Sequence, residues 1–166
     1  MFPRPNNTSG EVAWLMVKLN LGLTINHMSN RLPVIIQSIV YKKKGQKFEV
    51  LLLKRTAARG GFWNVVNGTL ELQESAIDCR KRELFEETGI KDAASWSDEI
   101  HRFSFNYHNN IFVVVAFAVN VSKDQKVTIN EEHIEYRWVN FDEAINLLKF
   151  DDDKTALQNL REKLRQ

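Results

Sequence analysis

The sequence is poor in the residues that cross-link or interrupt a chain. Its 166 residues include one cysteine, Cys79, only three prolines and seven glycines. A lone cysteine cannot close an internal disulfide, so we expect a reducing compartment, the cytoplasm. Cys79 falls within a predicted helix, where a small packed side chain is a better interpretation than a nucleophile. A chain of this length is expected to form one domain with its own core.

The chain also lacks a large net charge. Its 23 lysines and arginines face 21 aspartates and glutamates, which leaves a formal net charge of +2. This near balance argues against non-specific nucleic-acid binding as the main activity. The composition, 43% hydrophobic and 27% charged, is that of an ordinary globular protein.

No hydrophobic run is long enough to span a membrane. The most apolar stretch near the start, residues 12–25, is short and is interrupted by Lys18. Two interpretations of this region stay open: an extra helix or strand packed on the domain, or a segment upstream of a natural start at Met28. In either case we expect an N-terminal extension over residues 1–30 and the functional domain over residues 31–166.

Periodicity and turn residues predict an irregular alternation of strands and helices. Strands are predicted at residues 33–41, 48–54, 100–107, 111–121 and 135–139. Helices are predicted at residues 75–88, 141–149 and 154–165, with the acidic residues 151–153 between the last two. Turn signals occur at residues 42–47, at Asn67-Gly68 and at Asn109-Asn110. This order favours a mixed β-sheet covered by helices.

The stretch with most chemical information is residues 68–90. On a helix, Glu83 and Glu87 are i,i+4 neighbours, and Glu86 is three residues after Glu83. Three carboxylates on about the same face repel one another unless a divalent cation lies among them. Oxygen ligands at this density suit Mg²⁺ or Mn²⁺. The alternative is a solvated acidic helix face, which is common for E-x-x-E-E alone.

Other residues of this stretch predict how the helix is held. Arg82 lies eight residues after Glu74, so its side chain can reach back to that carboxylate and fix the geometry. Gly89 lies where a helix C-terminal glycine is expected. The predicted buried stripe consists of Ala76, Ile77, Leu84 and Phe85.

The full spacing favours the metal interpretation over the solvated helix. The stretch fits G-x5-E-x7-R-E-U-x-E-E-x-G-U, where U is a bulky apolar residue, at every specified position: Gly68, Glu74, Arg82, Glu83, Leu84, Glu86, Glu87, Gly89 and Ile90. Chance agreement over nine specified positions in 23 residues is rare. This pattern is the Nudix box, and the chain resembles the Nudix hydrolases over roughly residues 33–160.

The resemblance implies a fold and a metal site. The fold is an α/β/α sandwich of the α+β class, with a mixed β-sheet flanked by helices. The metal is Mg²⁺, with Mn²⁺ as an alternative, and Glu83, Glu86 and Glu87 match the ligand positions. A backbone carbonyl at the glycine turn, of Asn67 or Gly68, matches a further ligand.

The resemblance also implies a reaction, in which an activated water attacks phosphorus. Glu83, Glu86 and Arg82 are the expected catalytic residues on the box helix, and Arg82 with Glu74 matches a supporting ion pair. The general base comes either from this helix or from a downstream glutamate. Glu132, next to Glu131, is the downstream candidate, and a plain acidic loop is the alternative.

Sequence outside the box narrows the substrate. The segment FWNVVNGTLE and the E-H-x-x-Y-R-W element of residues 132–138 resemble bacterial dihydroneopterin triphosphate, or dATP, pyrophosphohydrolases. That resemblance implies hydrolysis of a nucleoside or dihydroneopterin triphosphate to the monophosphate and pyrophosphate. Dinucleoside polyphosphates, nucleotide sugars and capped RNA are alternatives. A non-catalytic Nudix-fold regulator is another, although the complete set of box carboxylates argues against it.

Several side chains are candidates for substrate contact. Lys54 and Arg55 end a predicted strand and could meet a triphosphate, unless they are merely solvated. Trp63 could stack on a purine or pterin ring, as could Phe62, Phe105 or Tyr107, but such aromatics are more often core residues. Three of the four histidines, His101, His108 and His133, are predicted to lie at the surface. We expect a small nucleotide-like partner and no membrane, with monomer and homodimer both open.

Overall fold

A computed structural model of the protein describes residues 31–107 and 109–165. Its strands are β1 (Arg31–Lys44), β2 (Lys47–Arg55), β3 (Trp63–Asn64), β4 (Val66–Glu71), β5 (Ser95–Tyr107), β6 (Asn110–Asn120) and β7 (His133–Val139). Its helices are α1 (Ala76–Thr88), α2 (Phe141–Leu147) and α3 (Asp151–Lys163), with a short 3₁₀ turn at Ala57–Arg59. The predicted extension, with Met28, lies outside the described residues. No helix in these two ranges is long and apolar enough to cross a bilayer.

The strands form one mixed sheet organised around β1. One edge of β1 pairs in parallel with β6, which pairs antiparallel with β5. The other edge pairs with two strands, both antiparallel: β4 along residues 31–38 and β2 along residues 41–44. Strand β2 then pairs antiparallel with β3 and β7. The sheet therefore divides into two arms where β1 changes partner.

Apolar residues of β2 show how the layers form. Val50 and Leu52 face one side of the sheet, whereas Leu51 and Leu53 face the other, because side chains alternate along a strand. Leu84 of α1 packs with Leu51 and Leu53, and helices α2 and α3 cover the opposite face. The predicted sandwich of a mixed sheet between helices is confirmed.

Helix α1 begins and ends where the sequence predicts, but its buried face differs. The Ser75 hydroxyl accepts from the Asp78 amide at its start, and Gly89 closes it with a φ of 69°. Phe85, predicted to be buried, is 48% exposed. The buried positions are Cys79, Arg80, Leu84, Glu87 and Thr88. Polar side chains thus occupy much of the face that packs on the sheet.

Two predicted boundaries were wrong. Asn67 and Gly68 lie inside β4, paired with Gln37 and Ile36 of β1, and do not form a tight turn. An Asn-Gly pair marks a hairpin turn only when strands on both sides of it pair with each other, which does not happen here. Residues 151–153 do not separate α2 from α3 but begin α3, where carboxylates interact favourably with the helix dipole.

Candidate functional site

A polar pocket lies beside α1, at the edge of the sheet formed by β4. It has a volume of about 100 Å³ and is lined by Asn67, Gly68, Thr69, Glu83, Glu86, Glu87, Asn130 and Glu132. Four of these residues carry carboxylates, three from α1 and one from the loop that precedes β7. The fold therefore brings the box carboxylates together with the downstream candidate Glu132.

Gly68 allows the helix to approach the strand. A Cβ atom at this position would lie 1.8 Å from the carboxyl carbon of Glu83, far inside van der Waals contact. A larger residue here would force the Glu83 side chain out of its present position. The glycine is thus needed for close approach, not for the turn that the sequence suggested.

Arg82 holds the carboxylates of the helix in place. Its Nε and Nη2 atoms donate to the two oxygens of Glu74 at 2.8 and 2.9 Å, the bidentate pair expected from the eight-residue spacing. Its Nη1 donates to Glu83 at 2.5 Å and to Glu86 at 3.4 Å. This guanidinium lowers the pKa of Glu74. Arg82 therefore links the start of the box to two carboxylates of the pocket.

Glu87 is the most deeply buried carboxylate of the pocket. Its side chain is 3% exposed, and within the described residues its Oε2 atom has no hydrogen-bond partner. Burial raises the pKa of Glu87 well above its usual value, and the neighbouring Glu83 raises it further. An acceptor left in this state is costly unless a cation compensates it.

The donor set fits a hard divalent cation. Glu83, Glu86 and Glu87 offer carboxylate oxygens, and Gly68 offers a carbonyl, as Mg²⁺ and Mn²⁺ prefer. In the described part of the chain no three such groups already converge on one point. Glu83 and Glu86 turn instead towards Arg82. Because a carboxylate has two oxygens, contact with the arginine through one of them is compatible with binding of an ion through the other.

Glu132 is held by two arginines on the opposite side of the pocket. Its Oε2 atom lies 2.9 Å from Arg59 Nη1 and 3.3 Å from Arg55 Nη2. The side chain of Arg55 is 0% exposed, and burial lowers its pKa while Glu87 and Glu132 act in the opposite direction. Such burial leaves Arg55 no surface for a triphosphate. Arg55 was predicted to contact the substrate. In the structure its buried side chain interacts instead with two carboxylates of the pocket, Glu87 and Glu132.

The other predicted substrate residues lie away from the pocket. Lys54 is half-buried, with Nζ 3.9 Å from Glu135 Oε2. Trp63 is buried in the core cluster under α2 and α3, so the core alternative applies to it. Phe105 and Tyr107 are likewise buried together against β6. None of these four side chains lines the acidic pocket.

The histidines do not share one environment. His133 was predicted at the surface, but it is buried beside Arg55 and Arg59, and its Nδ1 lies 3.0 Å from Asn130 Oδ1. Burial lowers the pKa of His133 to about 4, so the ring is neutral at pH 7. His101 is half-buried, 3.5 Å from Asp152, and His108 lies outside the described residues.

Sequence reasoning missed two residues of the site, Arg59 and Asn130. Arg59 belongs to the 3₁₀ turn between β2 and β3, followed by Gly60 and Gly61. Asn130 lines the pocket, and its side chain accepts from the Glu132 amide at 3.1 Å. The sequence indicates these two residues only through their neighbours: Arg59 precedes the box, and Asn130 lies two residues before Glu132.

Comparison with known proteins places this geometry in a family. Residues 32–160 match the family model of the NUDIX domain. The chain is 36% identical over 113 residues to the octanoyltransferase of Myxococcus xanthus, covering 67% of this chain but 32% of that protein. It thus spans about a third of that relative's length. It is also 32% identical over 124 residues to the asymmetrical bis(5'-nucleosyl)-tetraphosphatase of Sus scrofa, covering 72% and 83% of the two chains.

A likeness among solved structures supports the fold. The dihydroneopterin triphosphate pyrophosphohydrolase of E. coli superposes with a TM-score of 0.68, at 22% identity, over 81% of this chain and 99% of that enzyme. At this identity the similarity concerns the architecture. The chain and that enzyme share a sheet and helices in the same arrangement.

Proposed function

The chain belongs to the Nudix hydrolase family, and from that premise we propose that it is a Mg²⁺-dependent pyrophosphohydrolase. The proposed substrate is a nucleoside triphosphate or dihydroneopterin triphosphate, cleaved to the monophosphate and pyrophosphate. The observation that carries the proposal is the acidic pocket, in which one oxygen of the buried Glu87 has no hydrogen-bond partner among the described residues, next to Glu83 and Glu86. Such a pocket suits a cation-bound phosphate chain.

Four groups of the chain are proposed to hold the metal: the side chains of Glu83, Glu86 and Glu87 and the carbonyl of Gly68. Bound Mg²⁺ supplies neutralisation of phosphate oxygens and a lower pKa for an attacking water. Arg82 positions this set, because it contacts Glu83 and Glu86 while it is anchored to Glu74. The metal ligands are thus supported by an ion pair within the same box.

Glu132 is proposed as the general base. It faces the box carboxylates across the pocket, and its Oε2 atom is occupied by two arginines. We propose that the other oxygen, Oε1, accepts the proton of the attacking water. Arg55 is a positioning residue in this proposal, because it acts only through Glu132 and Glu87.

A product assay tests the reaction. The purified chain is incubated with Mg²⁺ and a panel of nucleoside triphosphates and dihydroneopterin triphosphate, and pyrophosphate and orthophosphate are measured separately. We expect pyrophosphate and a monophosphate in equal amounts. Release of orthophosphate alone from every triphosphate would contradict the proposed cleavage.

A matched pair of variants tests the metal assignment. Glu86→Gln removes one proposed ligand charge, and we expect Mg²⁺-dependent hydrolysis to fall by about a hundredfold or more. Glu143→Gln makes the same change at an exposed position on α2, outside the pocket, and should leave the rate unchanged. Undiminished hydrolysis by the Glu86 variant would show that the ligand set is wrong.

A second substrate class is a dinucleoside polyphosphate. It is favoured by the 32% identity to the Sus scrofa tetraphosphatase over most of both chains. Including diadenosine tetraphosphate in the same panel separates the candidates. A preference for it over every triphosphate by kcat/KM would move the assignment to this class.

A further inference from the structure

Arg59 lies at the rim of the acidic pocket. It ends the 3₁₀ turn Ala57–Arg59, and its side chain remains 28% exposed while Nη1 contacts Glu132 Oε2. The turn is fixed to the pocket loop, because the Thr56 amide donates to the Glu132 carbonyl at 3.1 Å. A partly exposed guanidinium is therefore held beside a pocket whose own lining residues include no lysine or arginine.

Glu132 has a second arginine partner besides Arg59. Arg55 contacts the same oxygen of Glu132 from the buried side and has no route to solvent. If Arg59 moves away, the carboxylate keeps a charged partner, and no buried charge is left uncompensated. Arg55 itself cannot turn from Glu132 to a ligand, since its side chain is fully buried.

A phosphate chain offers Arg59 an anionic partner besides Glu132. Phosphoryl groups of a triphosphate that a metal at the α1 carboxylates does not bind remain charged and need another cationic partner. Arginine binds phosphate through two parallel charge-assisted hydrogen bonds, and Arg59 Nη1 already lies 2.9 Å from an anionic oxygen, Glu132 Oε2.

We propose that Arg59 leaves Glu132 on substrate binding and donates to the phosphoryl group that lies beyond the metal-bound ones. This inference rests on the proposed function and extends it with a phosphate-binding residue outside the box. It makes the site selective for phosphate chain length, because only a chain long enough to reach the rim meets Arg59.

Binding of inorganic phosphate chains, which carry no nucleobase, tests the inference directly. Calorimetry measures the Kd of inorganic tripolyphosphate and of pyrophosphate, each with Mg²⁺, for the whole chain and its variants. For Arg59→Ala we expect tripolyphosphate to bind about tenfold more weakly or worse, as loss of one charge-assisted hydrogen bond predicts. Pyrophosphate should be affected less, and Arg59→Lys should lie between wild type and Arg59→Ala.

Arg102→Ala is the matched control. Arg102 is also a surface arginine paired with a glutamate, Glu99, but it lies on β5 and away from the pocket. Its tripolyphosphate affinity should equal that of wild type. Circular dichroism of each variant confirms that the fold is retained before binding is compared.

Steady-state kinetics separate this role from a structural one. With the triphosphate that the product assay selects, Arg59→Ala should raise KM about tenfold with a smaller effect on kcat. An unchanged KM and unchanged tripolyphosphate Kd would overturn the inference, and so would a fall in kcat alone, since Arg59 would then act only by holding Glu132. Failure of the wild-type chain to hydrolyse any nucleotide would instead contradict the proposed function.

Discussion

The Glu83 carboxylate constrains the identity of Gly68. It is the member of the box at which any larger side chain would occupy the space of the Glu83 carboxylate. A sequence pattern shows that glycine is present but not which neighbour requires it. The asparagine before it suggested a turn, whereas the structure shows a strand residue beneath a carboxylate.

Replacing this glycine should affect activity through Glu83. In Gly68→Ala the new methyl group must displace the Glu83 carboxylate or move β4 away from α1, and we expect kcat/KM to fall about a hundredfold. Gly45→Ala is the control, because nothing lies within 4 Å of that position. Its positive φ can lower stability slightly, but its activity should match wild type. Equal activities would contradict the close-approach role.

Because the carboxyl group of Asp153 is buried, we expect the stability of the fold to depend on pH. Its side chain is buried, its Oδ1 accepts from Gln37 Nε2 at 2.8 Å, and burial raises its pKa from 3.8 to about 6. The folded state therefore binds this proton more tightly than the unfolded state does. The associated stability is fully present below pH 3.8 and is lost as pH rises through about 6.

Asp153→Asn should remove this loss. The shift in the pKa of Asp153 corresponds to at most about 3 kcal/mol. At pH 8 we therefore expect the free energy of unfolding of the variant to exceed that of wild type by about 1–3 kcal/mol, with little difference at pH 4. Urea denaturation at both pH values measures the two free energies of unfolding. A variant that gains nothing at pH 8 would show that Asp153 is compensated in its ionised form.

Helix α1 is docked on the sheet by an arginine as well as by apolar side chains. Arg80 is buried, donates to the carbonyls of Ser97 and Ala118 at 3.1 and 2.8 Å, and packs over the ring of Phe117. The sequence predicted an apolar stripe instead, because periodicity assigns charged residues to the solvent side. The two strands that Arg80 meets come later in the chain, so the pattern of the helix alone could not reveal them.

Truncation of Arg80 should destabilise the fold. Arg80→Ala leaves two buried carbonyls without their donor and opens space under the helix, so we expect a loss of about 2–4 kcal/mol in the free energy of unfolding. Lys81→Ala, on the exposed side of the same helix, should change it by less than about 0.5 kcal/mol. A similar small effect for both variants would show that Arg80 does not anchor α1.

For the molecule as a whole, metal binding and folding should be linked. An ion that binds the folded pocket and not the unfolded chain stabilises by about 2.7 kcal/mol at a hundred times its Kd. Mg²⁺ should therefore raise Tm by several degrees, and the gain should be lost in Glu86→Gln but kept in Glu143→Gln. The same Mg²⁺ response in all three proteins would place the ion elsewhere.

Much of the architecture followed from the sequence because strands and helices carry local signals. The hairpin of β5 and β6, the helix α1 with its glycine end, and the mixed sheet were all predicted from short patterns. The burial of Arg55 and His133 was not, since it depends on the loop before β7 folding over the end of β2. Arg59 was missed for the same reason, as its partner Glu132 is far away in sequence.

The change of partner along β1 places a seam through the pocket. Helix α1 packs beside β4, on one side of this seam. Arg59 and Glu132 lie on the other side, with β2 and β7. A small shear between the two sides would alter the gap between metal ligands and base without disturbing either half. The spacing between the proposed metal ligands and Glu132 is thus set by how β2 and β4 pair with β1.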